Sequence, residues 1–302
     1  HVERAQVRGL LVGAEAPQVA GALERAVAAA AAADVAVVVV GTNPDWETEG
    51  EDRTTLKLPG DQDELVARVA AANPRTVVII NAGSPVAMPW LDDVAAVMQV
   101  WFPGEEFGEA LADMLLGISE PTGRLPLTLP NRLEDTPAFE HHPGRDGRAI
   151  YGEGLLIGHR WYDAEGIAPA FAFGHGLGYT SWQVGAATLA GDVERGITVT
   201  VPVQNTGARD GSTVVQVYVA SPETPHSGGL RRPLRTLRGF AKVSAAAGAI
   251  ATATIELDRR AFSQWHEPSG GWVVPAGDYR VLAGFSSRDL TPVGVSRAPE
   301  PV

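Results

Sequence analysis

ADVAVVVVGTNPDWETEGEDR, residues 33–53, passes from a run of six apolar residues, Val35 to Val40, into a loop where five of the eight residues from Asp45 to Asp52 are carboxylates. A valine-rich run without polar alternation predicts a strand buried on both faces of a parallel sheet. The acidic stretch Trp46 to Arg53 (WETEGEDR) leaves that strand at its carboxyl end, the side on which open α/β sheets bind ligands.

Working outward, the alanine-rich segment from Gln18 to Ala33, with Leu23, Glu24 and Arg25, predicts a helix, and Val7 to Val12 reads as a strand ending a preceding module. Downstream, Asp61 with Glu64 three residues on forms a capping box for a helix to Ala72, which Asn73-Pro74 ends. Thr76 to Ile80 is a second strand, Asn81 to Pro85 a turn, Val94 to Val100 a third strand and Glu106 to Leu116 a helix. Strands alternating with helices define a doubly wound α/β layer structure.

After Gly123 the texture changes. Asn131 to Gly154 is rich in Pro, Gly and charge and reads as a long surface connection, a length expected of a functional loop or one that wraps a neighbour. Ile197 to Gln204 then alternates, Asn205-Thr206-Gly207 is a turn, and Thr213 to Val219, Ala249 to Leu257 and Tyr279 to Phe285 are strands of a β-sandwich. The expected organisation is an α/β sandwich domain over 1–130, a connecting segment over 131–181 packed on it, and a β-sandwich over 182–302, with the boundary near Trp182.

The 302 residues suffice for two cores, and the net charge of -12 opposes nucleic acid or an anionic membrane as partner and favours a neutral substrate. The apolar stretch from Ala26 is broken by Asp34 and is not a membrane span. With no cysteine there is neither a disulfide nor a thiolate metal site. The chain opens at His1 with no Met and no signal-like segment, so it is expected to be an internal fragment or a processed piece.

Crowded carboxylates raise one another's pKa, which suits a proton donor working near neutral pH. Crowding alone does not choose among Glu47, Glu49 and Glu51. Trp46 offers a ring for stacking, and Asp52 and Arg53 could pair with each other or with the sheet to fix the loop. The plain alternative is a solvated acidic loop, which its place after a buried strand weakens. A calcium loop matches at Asp45, Glu47, Glu49 and Gly50 but has Leu56 where a bidentate Glu is needed, and follows a strand. His141 and His142 are adjacent and point apart, and His175 sits between glycines in a structural role, so no metal site is expected. Neither a G-x-S-x-G elbow nor a G-x-G-x-x-G fingerprint is present, and no cofactor is expected.

Nine ordered motifs carry a resemblance. They are ADVAVVVVGTN from Ala33, WETEGEDR from Trp46, LPGDQ from Leu58, NAGSPVAMPW from Asn81, WFPGEEFGEALADMLLG from Trp101, PTGRLPLTLP from Pro121, FAFGHGLGYTSW from Phe171, VPVQNTGARDGSTVVQVYV from Val201 and GDYRVLAGFSSRD from Gly277. In these the chain resembles the carboxy-terminal half of family-three glycoside hydrolases, the β-glucosidase and β-xylosidase group. The resemblance implies an (α/β)6-type sandwich followed by a fibronectin type III-like domain. It places the acid/base glutamate of a retaining mechanism, the residue before G-x-D-R, on Glu49, with Glu47 as the rival. Trp46 and Asn43 become candidates for sugar contact, and Asp52 and Arg53 for positioning the loop. The aspartate nucleophile of that family lies in an amino-terminal (β/α)8 barrel, expected here on a missing segment or a companion chain. The chain alone is then expected to be unable to complete a double displacement. The expected substrate is a β-linked glucoside or oligosaccharide; a non-catalytic carbohydrate-binding or assembly module is the alternative, and homo-oligomerisation and compartment stay open. The family's usual aromatic residue after the glycine is here Glu51.

Overall fold

The structure, a computed structural model, describes residues 20–222 and 231–299. The Val7 to Val12 strand expected from sequence lies outside them. The chain forms two compact units. The first takes the chain through Gly41, then Leu58–Asn81 and Pro89–Val100; the second takes Thr42–Lys57, Ala82–Met88 and everything from Trp101.

In the first unit, helix α1 (Ala22–Ala32) precedes strand β1 (Ala36–Gly41), helix α2 (Gln62–Ala72), strand β2 (Thr76–Asn81) and strand β3 (Ala96–Gln99). The strands form a parallel sheet ordered β1-β2-β3, with Ala36 opposite Thr76 and Val77 opposite Ala96. Ladder bonds continue past β3 at Ala95 N–H to Thr76 O (2.8 Å) and Val100 N–H to Ile80 O (3.0 Å), so pairing spans nearly all of the expected strand. Alanine gives α1 its helicity without side-chain entropy cost. Its last carbonyls, Ala30 O and that of Ala33 beyond it, accept from the buried Asn73 Nδ2, each at 2.9 Å. Val66, Val69 and Ala70 of α2 are buried with Val38, Val40, Val78 and Ile80.

Two expectations are corrected. Burial on both faces holds for β2, where Val78, Ile79 and Ile80 are all fully buried. It fails for β1, where Val37 and Val39 are 49% and 55% exposed. β1 takes the alternating pattern of a strand covered on one face only among the described residues, whereas β2 is covered on both. The capping box does not form either: Asp61 has φ -98 and ψ 20, and its side chain bonds no helix N–H. An N-cap side chain reaches the helix amides from extended backbone, which Asp61 lacks. Gln62 anchors this end instead, its Nε2 donating to Gly41 O (2.9 Å) and Pro59 O (3.1 Å) while its Oε1 accepts from Gly41 N–H (2.7 Å). Gly41 must be glycine, since a Cβ there would lie 2.0 Å from Asn81 O.

The second unit contains α3 (Phe107–Leu115) and α4 (His159–Glu165), then strands β4 (Trp182–Val184), β5 (Thr188–Asp192), β6 (Gly196–Asn205), β7 (Gly211–Ala220), β8 (Thr236–Ala245), β9 (Ile250–Leu257), β10 (Gln264–His266), β11 (Gly271–Val273), β12 (Gly277–Ser286) and β13 (Asp289–Ala298). One antiparallel sheet runs β13-β12-β7-β8; the other is built on β6, flanked by β9 on one edge and by β4 and β5 on the other. Alternate residues of β6 (Val199, Val201, Val203) point into a core shared with Val215, Val217 and Val219 of β7 and Tyr279, Val281 and Ala283 of β12. This is the alternation expected for Ile197 to Gln204.

Helix α4, absent from the sequence reading, has seven residues and ends at Gly166 with φ 67, the left-handed glycine stop. Its Asp163, 2% exposed, pairs with Arg288 (2.8 Å) and Arg235 (3.2 Å) and fastens the helix to the β-sandwich. Burial pushes the Asp163 carboxyl above its usual pKa, with both guanidiniums pulling the other way.

Candidate active site

The acidic loop belongs to the second unit together with residues 82–88. Asn43 shapes its first turn: its Oδ1 accepts from the N–H groups of Asp45 and Trp46, both at 3.1 Å, and its backbone carbonyl accepts from Trp46 and Glu47, both at 2.9 Å. Turn-forming of this kind is what Asn side chains do where the chain must reverse. The oxygen of the candidate sugar-contacting Asn43 is therefore engaged with the loop's own backbone.

Glu47 is half-buried. Its Oε1 accepts from the Thr42 hydroxyl and from Gly83 N–H (3.1 Å), joining the acidic loop to the segment that follows β2. The contact depends on Gly83, because a Cβ at that position would lie 2.7 Å from the Phe102 ring and 2.8 Å from Glu47 Oε2. Phe102 follows Trp101, a non-glycine residue at φ 59, where backbone strain is stored. Arg53 makes a second tie, Nη1 donating to Ser84 Oγ (2.6 Å) and Pro85 O (3.2 Å). Burial pushes the Arg53 guanidinium's pKa down, and the nearby Glu47 charge opposes that.

Glu49 is placed differently. Thr48 and Glu51 form an antiparallel bridge, and Glu49-Gly50 is the two-residue turn between them. Glu49 is exposed at the tip and its side chain has no hydrogen bond or ion pair to another described residue. Gly50 makes the turn without a left-handed backbone. Asp52 does not pair with Arg53: it meets His142 Nε2 at 3.2 Å, both side chains well exposed. Trp46 is half-buried, with its indole N–H buried and lacking an acceptor among the described residues, as are Arg53 Nε and Nη2. Buried donors without a protein partner are uncommon and call for a water or a ligand group.

The structure thus gathers Asn43, Trp46, Glu47 and Arg53 into one braced loop, with Glu49 at its tip and Asp52 on a separate contact. Sequence reasoning missed Thr42, Gly83, Ser84 and Phe102, which lie up to about 60 positions from one another, and His142. NAGSPVAMPW and WFPGEEFG contained three of them, but nothing local said they brace Glu47. His175 stacks on Phe171 with ring centres 5.2 Å apart, and burial, then Arg124, lowers its pKa, in keeping with a structural histidine.

A three-stranded parallel α/β unit, a carboxylate-rich loop after its first strand and an antiparallel β-sandwich define a chain with an α/β and an all-β part, and the comparisons give its family. Residues 6–179 match the glycosyl hydrolase family 3 C-terminal domain and residues 213–287 the fibronectin type III-like domain, and the chain belongs to glycoside hydrolase family 3. It is 42% identical over 287 residues to a beta-glucosidase from Rhizobium radiobacter, covering 93% of this chain and 35% of that protein. It is also 42% identical to beta-glucosidase B from Emericella nidulans, covering 89% of this chain and 33% of that one. Among solved structures, the beta-glucosidase from Kluyveromyces marxianus in complex with glucose superposes with a TM-score of 0.86 at 40% identity, over 92% of this chain and 33% of that chain. DesR, a beta-glucosidase from Streptomyces venezuelae in complex with D-glucose, gives 0.85 at 38%, over 92% and 35%. The chain spans about a third of the length of the curated relatives it matches.

Proposed function

We propose that this chain supplies the acid/base carboxylate of a retaining β-glucosidase, with Glu49 as that group. The nucleophilic aspartate comes from a (β/α)8 barrel outside these residues, on the same polypeptide or a companion chain. In the first step the Glu49 carboxyl gives its proton to the glycosidic oxygen as the bond to the anomeric carbon breaks and the aspartate oxygen bonds to that carbon. In the second, the Glu49 carboxylate takes a proton from water as the water oxygen displaces the aspartate. Trp46 and Asn43 border the sugar; Arg53 and Asp52 position the loop. The substrate is a neutral β-linked glucoside or oligosaccharide, a reading supported by relatives named beta-glucosidases and by neighbours solved with glucose.

The observation that carries this reading is the division of labour among the loop's carboxylates. Glu47 is engaged with Thr42 and Gly83, whereas Glu49 and Glu51 have no side-chain partner among the described residues, and of these two it is Glu49 that stands at the turn tip and directly before G-x-D-R. A proton shuttle must be free to approach its substrate, and a carboxylate committed to loop hydrogen bonds is not. The division into 1–130, 131–181 and 182–302 belongs to the same proposal, supported by β4 beginning at Trp182.

The test is turnover of an aryl β-glucoside by the chain combined with its barrel. Glu49→Gln and Glu49→Ala are expected to lose activity by about 10²–10⁴-fold, the usual contribution of general acid–base catalysis. Azide is expected to restore the alanine variant as the β-glucosyl azide. Unchanged activity in both variants, or azide rescue confined to Glu47→Ala, refutes the assignment.

A further inference from the structure

We propose that the β-sandwich carries a second carbohydrate site, sharing no residue with the acidic loop, formed by the Trp265–Trp272 pair and the polar cleft beside it. It takes neutral oligosaccharides of β-linked glucose. Trp265 and Trp272 face each other across the β10–β11 hairpin, ring centres 5.6 Å apart and planes at 64°. They remain 48% and 44% exposed, and neither indole N–H donates to another described residue. The Arg260 guanidinium lies over the Trp272 ring, 3.0 Å from its centre, and holds that ring in place.

Arg260 stands in the short turn Arg259–Phe262, which Asp258 opens by accepting Ala261 N–H at 3.1 Å. Asp258 in turn lines an open cleft of about 640 Å³ with Arg195, Arg238 and Glu256, beside bare backbone at Gly191 and Gly196. That volume is in the range of small-molecule sites, about 300–1,000 Å³. Two arginines and two carboxylates line the cleft, so it offers donors and acceptors without a net charge that would select an ion. The Arg238 Nε is buried with no acceptor among the described residues. One Glu256 oxygen accepts from the Thr198 hydroxyl at 2.8 Å and one Asp258 oxygen accepts from Ala261 N–H, leaving each a second oxygen for a ligand hydroxyl.

A hydroxyl-rich, uncharged ligand with a flat apolar face matches this combination. β-Linked glucose has that form, because its equatorial hydroxyls leave C–H faces free to stack on indole. A cross-strand aromatic pair also steadies a short hairpin, but that role does not account for the buried Arg238 Nε, which has no partner among the described residues.

The experiment titrates the 302-residue chain with cellotetraose, using calorimetry and two-dimensional NMR of the indole N–H groups. Saturable binding is expected, with the Trp265 and Trp272 indole signals shifting. Affinity is expected to fall on the order of ten-fold or more in Trp265→Ala, as for a stacked anchor residue. Since that change could also unsettle the hairpin, Glu256→Gln and Arg238→Gln, which leave the two rings in place, are expected to weaken binding as well. Glu49→Gln is expected to leave the titration unchanged, which separates this site from the one proposed above. Absence of saturable binding, binding undiminished in Trp265→Ala and both cleft variants, or binding lost in Glu49→Gln overturns the proposal.

Discussion

Replacing His159 with phenylalanine is expected to flatten the acid end of the stability curve. His159 on α4 stacks on Phe173 with ring centres 4.8 Å apart and meets Tyr218 edge-on at 6.0 Å; its Nε2 is buried without a partner. Burial, then the charges of Arg160 and Arg235, push its pKa down from 6.5 to about 4. Between those two values the unfolded chain binds a proton that the folded chain refuses, so the stabilising effect of a neutral ring is complete above pH 6.5 and is lost as the pH falls toward 4. At about 1.36 kcal/mol per pH unit the displacement corresponds to about 3 kcal/mol, and the part of the ring that water reaches lowers this to about 1.5–2 kcal/mol. Asp163 acts in the opposite sense, because its raised pKa adds stability at low pH that is lost as pH rises. It is present in both proteins and cancels in the difference. Urea unfolding at pH 7 and pH 4 measures the effect, with the wild type expected to lose about 1.5–2 kcal/mol more than His159→Phe on acidification. Parallel losses in the two proteins refute the reasoning.

Two further substitutions test the packing that positions the loop and α4. Gly83→Ala forces a methyl to 2.7 Å from the Phe102 ring and 2.8 Å from Glu47 Oε2. It is expected to cost about 1–3 kcal/mol by thermal unfolding and to lower turnover of the completed enzyme as Glu47 is displaced; a variant with unchanged melting and turnover shows the brace is dispensable. Asp163→Asn removes the buried partner of Arg235 and Arg288 and is expected to cost about 3–5 kcal/mol in urea unfolding. A change below about 1 kcal/mol shows that the guanidiniums re-solvate.

Much of the fold was legible because it is written in local pattern. The valine runs at 35–40 and 76–80 and the alternation at 197–204 each sit on one strand, and Asn73 ends a helix where the sequence places the stop. The burial of β1 was not legible, since whether a valine is covered depends on what the fold packs against that face of the sheet. The capping box failed for a similar reason: the spacing of Asp61 and Glu64 says nothing of the backbone angle at Asp61. Helix α4 escaped notice because its seven residues are too few for a periodic signal, and its stability comes from two arginines more than 70 positions away.

The same division applies to the acidic loop. By itself the sequence determined that carboxylates crowd after a valine strand, that Trp46 and Arg53 frame them, and through its ordered motifs that the chain belongs with glycoside hydrolase family 3, because residue identity and spacing are properties of the chain. Only the tertiary structure decided that Glu47 bonds Thr42 and Gly83, that Arg53 grips Ser84 and Pro85, that Asp52 turns to His142, and that Glu49 stands at the turn tip without a side-chain partner among the described residues. The reason is physical: three neighbouring glutamates are chemically equivalent in a list of residues, and they become different only when donors from distant segments are brought within hydrogen-bond reach of one and not of another.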